Sequence, residues 1–249
     1  MFFPELIKSI EVNNKVLEVG PGATPHPRSD VFLELEYGSI QERIAQSGRV
    51  GILQTEKPVV YYNGKDFPFD DNEFDYIICS HVLEHVPEPE HIISEITRVG
   101  RKGYIEFPTI YYDYIWNIPE HITILFWTGK RIYYLPKEEL HLETYKPITD
   151  FYFNVVPPSS NNLVRRGKKY LIQGFEWKDR IDVEKAKDIS DVTYAELNKL
   201  PSLNVTTDLP YNALDRLEGL IDYSRRIRNS RQYYGHRIAG IIHLNKTTK

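Results

Sequence analysis

The chain of 249 residues is 41% hydrophobic and 13% aromatic, which supplies a core and excludes wholesale disorder. A single cysteine, Cys79, excludes an internal disulfide framework and a cysteine-rich zinc site, and it fits a reducing compartment. The net charge of −4 is uneven: residues 224–249 carry five Arg, two Lys and no acid, a local +7 that leaves −11 on the rest, which bears on partners or self-association rather than fold.

The opening stretch, MFFPELIKSIEVNNK, has Glu5 and Lys8 inside its apolar run, unlike a signal peptide, and no apolar run approaches the roughly 20 residues of a membrane span. A soluble, cytoplasmic protein is expected. Phe2, Phe3, Leu6, Ile7 and Ile10 predict a short helix before the first strand, Val16–Val19, which ends in Gly20-Pro21-Gly22. A strand feeding such a turn is how a doubly wound sheet begins a ligand-binding loop. The long helix expected next is interrupted by Pro25 and Pro27, and a new strand starts at Val31.

Ile40, Ile44 and Ala45 predict a helix stopped at Gly48, then strands over 58–62 and 75–80, the second a continuous apolar run. Pro89, the face Ile92, Ile93, Ile96 and Val99, and Gly100 mark the clearest helix, with a fifth strand over 103–108. Alternation of strands and helices implies a mostly parallel sheet covered on both sides. Residues 109–150 read as aromatic and irregular, 170–177 with 181–184 as a hairpin or final antiparallel pair, and 190–235 as polar and partly helical.

Polar residues gather at the ends of the first four strands: Gly20-Pro21-Gly22; an acid, Glu34 or Glu36; Asn63-Gly64-Lys65; and Ser80-His81-Val82-Leu83-Glu84-His85. Glycines allow close backbone approach to a ligand, and a carboxylate at the tip of strand two can accept both hydroxyls of a ribose. Each signal alone is also what an ordinary turn or solvated surface charge would give.

Taken together, VLEVGPG, FPFDDNEFDYIICSHVLEHV and GRKGYIEFP resemble the class I S-adenosylmethionine-dependent methyltransferases, in particular the broad group that includes quinone-biosynthesis methyltransferases. The likeness spans about residues 13–110. It implies a Rossmann-like, mostly parallel seven-stranded sheet with a shortened first helix. It implies a domain over 1–188, made of a cofactor half (13–110) and a substrate or lid half (109–188), followed by a C-terminal extension (189–249) with the basic tail. S-adenosylmethionine would be the cofactor and S-adenosylhomocysteine the product. Glu18, Gly20, Pro21 and Gly22 would surround the methionine part, Glu34 the ribose, Asn63, Gly64 and Lys65 the adenine, and Ser80 and His81 the floor. Asn63 departs from the family's usual Asp. A dinucleotide needs a helix N-terminus for its pyrophosphate, whereas S-adenosylmethionine has no phosphate, so the interrupted helix disfavours a dehydrogenase.

The resemblance implies methyl transfer to an oxygen or nitrogen of a small-molecule acceptor, with His85, His81 and His121 as candidate bases in that order and no metal. Each histidine also has a structural reading. Tyr111, Tyr112, Tyr114, Trp116 and Trp127 would wall a substrate, or pack a lid or dimer face. Two alternatives stay open: an inactive cofactor-binding scaffold, and an RNA-modifying enzyme using residues 224–249 for nucleic acid. A homodimer is also allowed, and no membrane contact is expected.

Overall fold

The computed structural model describes residues 1–47, 53–142, 147 and 162–195. The basic tail, the greater part of the 189–249 extension and the expected stop at Gly48 lie outside the described residues.

The strands are β1 (Val16–Val19), β2 (Val31–Leu35), β3 (Val59–Tyr62), β4 (Tyr76–Ser80) and β5 (Lys102–Pro108), with helices α1 (Ile40–Ser47) and α2 (Pro89–Val99) between them. After them come α3 (Ile110–Trp116), β6 (Thr123–Trp127), β7 (Arg131–Pro136), α4 (Asn162–Leu171), β8 (Ile172–Lys178) and β9 (Asp182–Lys185). The main sheet has the order β3-β2-β1-β4-β5-β8, parallel throughout except for β8, which runs antiparallel to β5. The expected doubly wound sheet with an antiparallel last strand is present, with six strands among the described residues rather than seven. Strand order reverses beside β1, which creates the crevice between the carboxyl ends of β1 and β4 where such sheets bind ligands.

Central strands β1 and β4 are buried along nearly their whole length, as apolar runs covered on both faces require. Helix α2 begins with Pro89 at a position where the missing N–H costs nothing, and it buries Ile92, Ile93, Ile96 and Val99. Arg98 in its last turn reaches back to the Phe67 and Phe69 carbonyls, at 2.9 and 2.8 Å, and to Asp71. That clamp fixes the acidic FPFDDNEF segment before β4. Gly103, at the start of β5, has no room for a side chain: a Cβ would overlap the Ile77 carbonyl oxygen and approach Trp177 Nε1 to 2.8 Å. Because a backbone carbonyl cannot rotate away, Gly103→Ala is expected to destabilise by about 2 kcal/mol. That is about 4–8 °C for a domain of this size, read by calorimetric melting, and an unchanged melting temperature would refute the packing argument.

Four expectations are corrected. The predicted N-terminal helix is a single 3-10 turn, Pro4–Leu6, flanked by the backbone N–H groups of Phe2, Phe3, Lys8 and Ser9, which donate to the Glu106 and Glu176 carboxylates instead of to helical carbonyls. Between β1 and β2 the first helix is absent rather than shortened; residues 20–30 form a looped connection, as Pro25 and Pro27 dictate. Residues 109–150, read as irregular, contain α3 and the antiparallel pair β6–β7, whose residues ILFW and IYYL are β-formers. Strands β8 and β9 do not pair. β8 joins the main sheet, and β9 runs parallel to β7 in a second sheet ordered β6-β7-β9.

The second sheet has its own apolar cluster of Ile110, Ile124, Phe126, Leu135, Ala186 and Val192, with Tyr194 packed against it. Its junction with the main sheet is specific. Trp127 stacks on Phe175 with centroids 4.0 Å apart, and the Gln173 amide bonds both the N–H and the carbonyl of Trp127. No helix among the described residues is long and apolar enough to cross a membrane.

Candidate functional site

A cleft of about 290 Å³ opens at the carboxyl ends of β1, β2 and β4, where the strand order reverses. Gly20, Pro21, Gly22, Glu34, Ser80, His81 and His85, all singled out in the sequence, line it. Tyr62, Val82 and Arg43, not singled out as site residues, line it too.

The glycine loop owes its path to two residues in the left-handed region, Gly20 (φ +59°) and Gly22 (φ +57°). At Gly20 a Cβ would stand 2.5 Å from Val82 Cγ2, so both backbone angle and space require glycine there. Glu18, expected at the ligand, does not line the cleft. Its buried carboxylate accepts the His26 N–H at 2.8 Å and the Ser29 hydroxyl at 2.6 Å, and thereby ties down the loop that stands where a helix was expected. Burial raises the Glu18 pKa, and these hydrogen bonds only partly oppose it.

Glu34, near the end of β2, accepts the Leu35 N–H at 3.0 Å, and burial raises its pKa. Asn63, Gly64 and Lys65 are exposed beyond the end of β3 and do not line the cleft. The Asn63 side chain accepts the Lys65 N–H at 3.1 Å, closing a local turn in which Gly64 is left-handed.

His81 has a left-handed backbone (φ +59°), an unusual state for a residue with a side chain. The bend sets its ring between two buried carboxylates: Nδ1 lies 3.0 Å from Glu84 Oε1, and Nε2 lies 3.1 Å from Glu106 Oε1. Burial alone would lower the His81 pKa, but the two carboxylates outweigh it and raise it to about 9. At neutral pH the ring is therefore a cation paired with two carboxylates and hydrogen-bonded to Glu84 through Nδ1, which makes it a holder of the site rather than a base. Glu106, unannounced among the sequence candidates, is the hub. Burial pushes its pKa up, but His81, the Tyr104 hydroxyl and the Phe2 N–H prevail and bring it to about 2. It also accepts from the Phe3 N–H at 2.8 Å and the Ser80 hydroxyl at 2.9 Å.

Beside the cleft, His85 and His121 meet edge to face with centroids 5.0 Å apart. His85 lines the cleft, and its Nδ1 lies 2.9 Å from the Glu120 carbonyl oxygen. His121 is buried, does not line the cleft, and points Nδ1 at both oxygens of Asp113, at 3.0 and 2.9 Å. Asp113 also accepts from the buried Lys137 ammonium. The two segments are stitched together: Ile122 N–H donates to the Glu84 carbonyl at 2.8 Å, and the Thr123 hydroxyl donates to the Val86 carbonyl at 2.6 Å. Glu84 is buried; burial would raise its pKa, yet His81, His85 and His121 bring it below the ordinary value.

The expected aromatic wall is dispersed. Tyr112 meets Trp116 and His121 in tilted ring contacts, Tyr111 stacks on Tyr194, and Trp127 serves the junction of the two sheets. Cys79 is buried, and burial raises its thiol pKa, so it is core.

A family model described as a methyltransferase domain matches residues 41–105. The demethylmenaquinone methyltransferase of Bacillus cereus (strain B4264) is 38% identical over 56 residues, which is 22% of this chain and 24% of that protein. The same figures hold for the demethylmenaquinone methyltransferase of Bacillus anthracis (strain A0248). The chain thus matches about a quarter of the length of these curated relatives. Among solved structures, a SAM-dependent methyltransferase from Thermotoga maritima is 17% identical, covering 42% of this chain and 49% of that one with a TM-score of 0.32. SAM-dependent methyltransferases from Methanosarcina mazei give 17%, 49%, 70% and 0.32 respectively.

Proposed function

We propose that this chain, which matches a methyltransferase domain over residues 41–105, transfers the methyl group of S-adenosylmethionine to an oxygen or nitrogen of a small molecule. The observation that carries the reading is the cleft at the strand reversal, bounded by the glycine loop, the Glu34 carboxylate and the His81–Val82 bend, with no helix following β1. A ligand with phosphates would find no aligned N–H groups of a helix end there. One with an amino acid, a ribose and an adenine finds backbone groups, a carboxylate and the Tyr62 ring.

In that reading Glu34 accepts the ribose hydroxyls, the Gly20–Gly22 loop borders the methionine part, and Ser80 and His81 form the floor. Asn63, outside the cleft, would meet the adenine only at its rim. The acceptor atom donates a lone pair to the methyl carbon as the carbon–sulfur bond breaks. The bonding pair stays on sulfur as a neutral thioether, and the acceptor's proton passes to a histidine or to solvent. With the methyl already activated, alignment supplies most of the catalysis.

The test is calorimetric titration of the full chain with S-adenosylmethionine, S-adenosylhomocysteine and NAD. Micromolar binding of both sulfur compounds and none of NAD is expected. Absence of binding by either sulfur compound would refute the reading, and binding without turnover on any acceptor would leave the scaffold alternative.

A further inference from the structure

We propose that Glu84, His85 and His121 form a binding site for a divalent first-row transition cation at the edge of the cleft, where the ion holds and activates an acceptor oxygen. One ligating atom from each residue lies within 4.8 Å of the others. Donors on one ion at about 2.1 Å stand roughly 3–3.5 Å apart, so about an ångström of side-chain adjustment closes the set.

Three independent features point inward to a ligand. Glu84 Oε2 is buried and has no hydrogen-bond partner, although the other oxygen of the same carboxylate is bonded to His81. A buried carboxylate oxygen left unpartnered is costly, and coordination to a cation removes that cost. Each histidine has its Nδ1 engaged, by the Glu120 carbonyl and by the Asp113 carboxylate, which leaves Nε2 as the nitrogen to offer. A carboxylate behind a histidine is the arrangement that orients metal-bound imidazoles. The hydrogen bonds from Ile122 to Glu84 and from Thr123 to Val86 hold the ligand segments together without any ion, so the site is organised in advance.

Two imidazoles and one carboxylate suit Zn²⁺, Mn²⁺, Fe²⁺, Co²⁺ or Ni²⁺ better than Mg²⁺ or Ca²⁺, which prefer oxygen ligands alone. Three protein ligands leave coordination positions open. Because His85 lines the cleft, the open side is the one an acceptor reaches. A hydroxyl bound there loses its proton to solvent more readily, and its oxygen then bonds to the methyl carbon as the carbon–sulfur bond breaks. This departs from the expectation of no metal and narrows the acceptor from oxygen or nitrogen to oxygen. The acceptor's part rests on the proposed methyl transfer; the ion's part does not.

The experiment is Co²⁺ titration of the chelator-treated full chain, followed by calorimetry and by the visible absorption of Co²⁺ in a mixed nitrogen and oxygen site. One Co²⁺ per chain at micromolar affinity is expected, weakened at least about 100-fold in both His121→Ala and Glu84→Gln. S-adenosylmethionine titration and thermal melting of the same variants report whether they fold. Absence of Co²⁺ binding, or binding indifferent to both substitutions in folded variants, overturns the site. If S-adenosylmethionine binds and Co²⁺ does not, the ion site alone fails. If Co²⁺ binds as expected and S-adenosylmethionine does not, the ion site stands and the methyl-transfer reading fails.

Discussion

Glu34→Gln is expected to weaken S-adenosylmethionine binding by roughly 100-fold while leaving the fold at least as stable. Hydrogen bonds from hydroxyls to an ionised carboxylate contribute about 1.5–3 kcal/mol, and an amide both loses the charge and turns a donor toward one of the ribose hydroxyls. Stability should move the other way. Burial raises the Glu34 pKa, so the ionised group is less comfortable in the folded chain than in water, and removing its charge relieves that cost. The Leu35 N–H, its backbone donor at 3.0 Å, keeps an acceptor in the amide oxygen. Binding lost together with a fall in melting temperature would mean that Glu34 is a packing residue. Binding unchanged would remove the ribose role altogether.

Much of the first half was readable because its signals are local. The continuous apolar runs at 16–19 and 76–80 and the 3.6-residue spacing of Ile92, Ile93, Ile96 and Val99 each have one structural solution. Turn residues at the ends of those strands then put Gly20, Gly22, Ser80 and His81 at one cleft, because parallel strands bring their carboxyl ends to one edge. The second half failed where pairing is non-local. Nothing in the sequence near 172–185 says that β8 pairs with β5 while β9 pairs with β7, across 64 or more residues in the first case.

Charges inside apolar runs mark the buried anchors of the site. Glu106 in GYIEFP and Asp113 in IYYDYIW are acids where a core strand and an aromatic helix would otherwise exclude them, and each proves to anchor a histidine. Glu84 sits within HVLEH, where the sequence alone gives it no role. Its neighbours His81, His85 and His121 come from two segments that meet through residues 120–123, more than thirty positions along the chain, so their convergence is not visible in spacing.

Glu106→Ala is expected to cost about 3–5 kcal/mol, the largest loss of stability predicted for this chain. The substitution leaves one edge of the His81 cation, which keeps Glu84 as its partner, together with two hydroxyls and two backbone N–H groups facing a cavity, and buried donors stranded without an acceptor cost about 1–3 kcal/mol each. For a domain of this size the melting temperature falls by about 6–20 °C. Acid titration separates this from simple loss of packing. The folded pKa of Glu106 lies near 2, below its ordinary value of 4.5. Its contribution is therefore complete above pH 4.5 and is lost as pH falls through 2, about 3 kcal/mol in all. Urea unfolding of the natural chain and of Glu106→Gln, compared at pH 6 and pH 3, should show the difference between them shrinking at the lower pH. Were the two stabilities to fall in parallel, the carboxylate would not be ionised in the folded protein, and the His81 sandwich would be held by shape instead of charge.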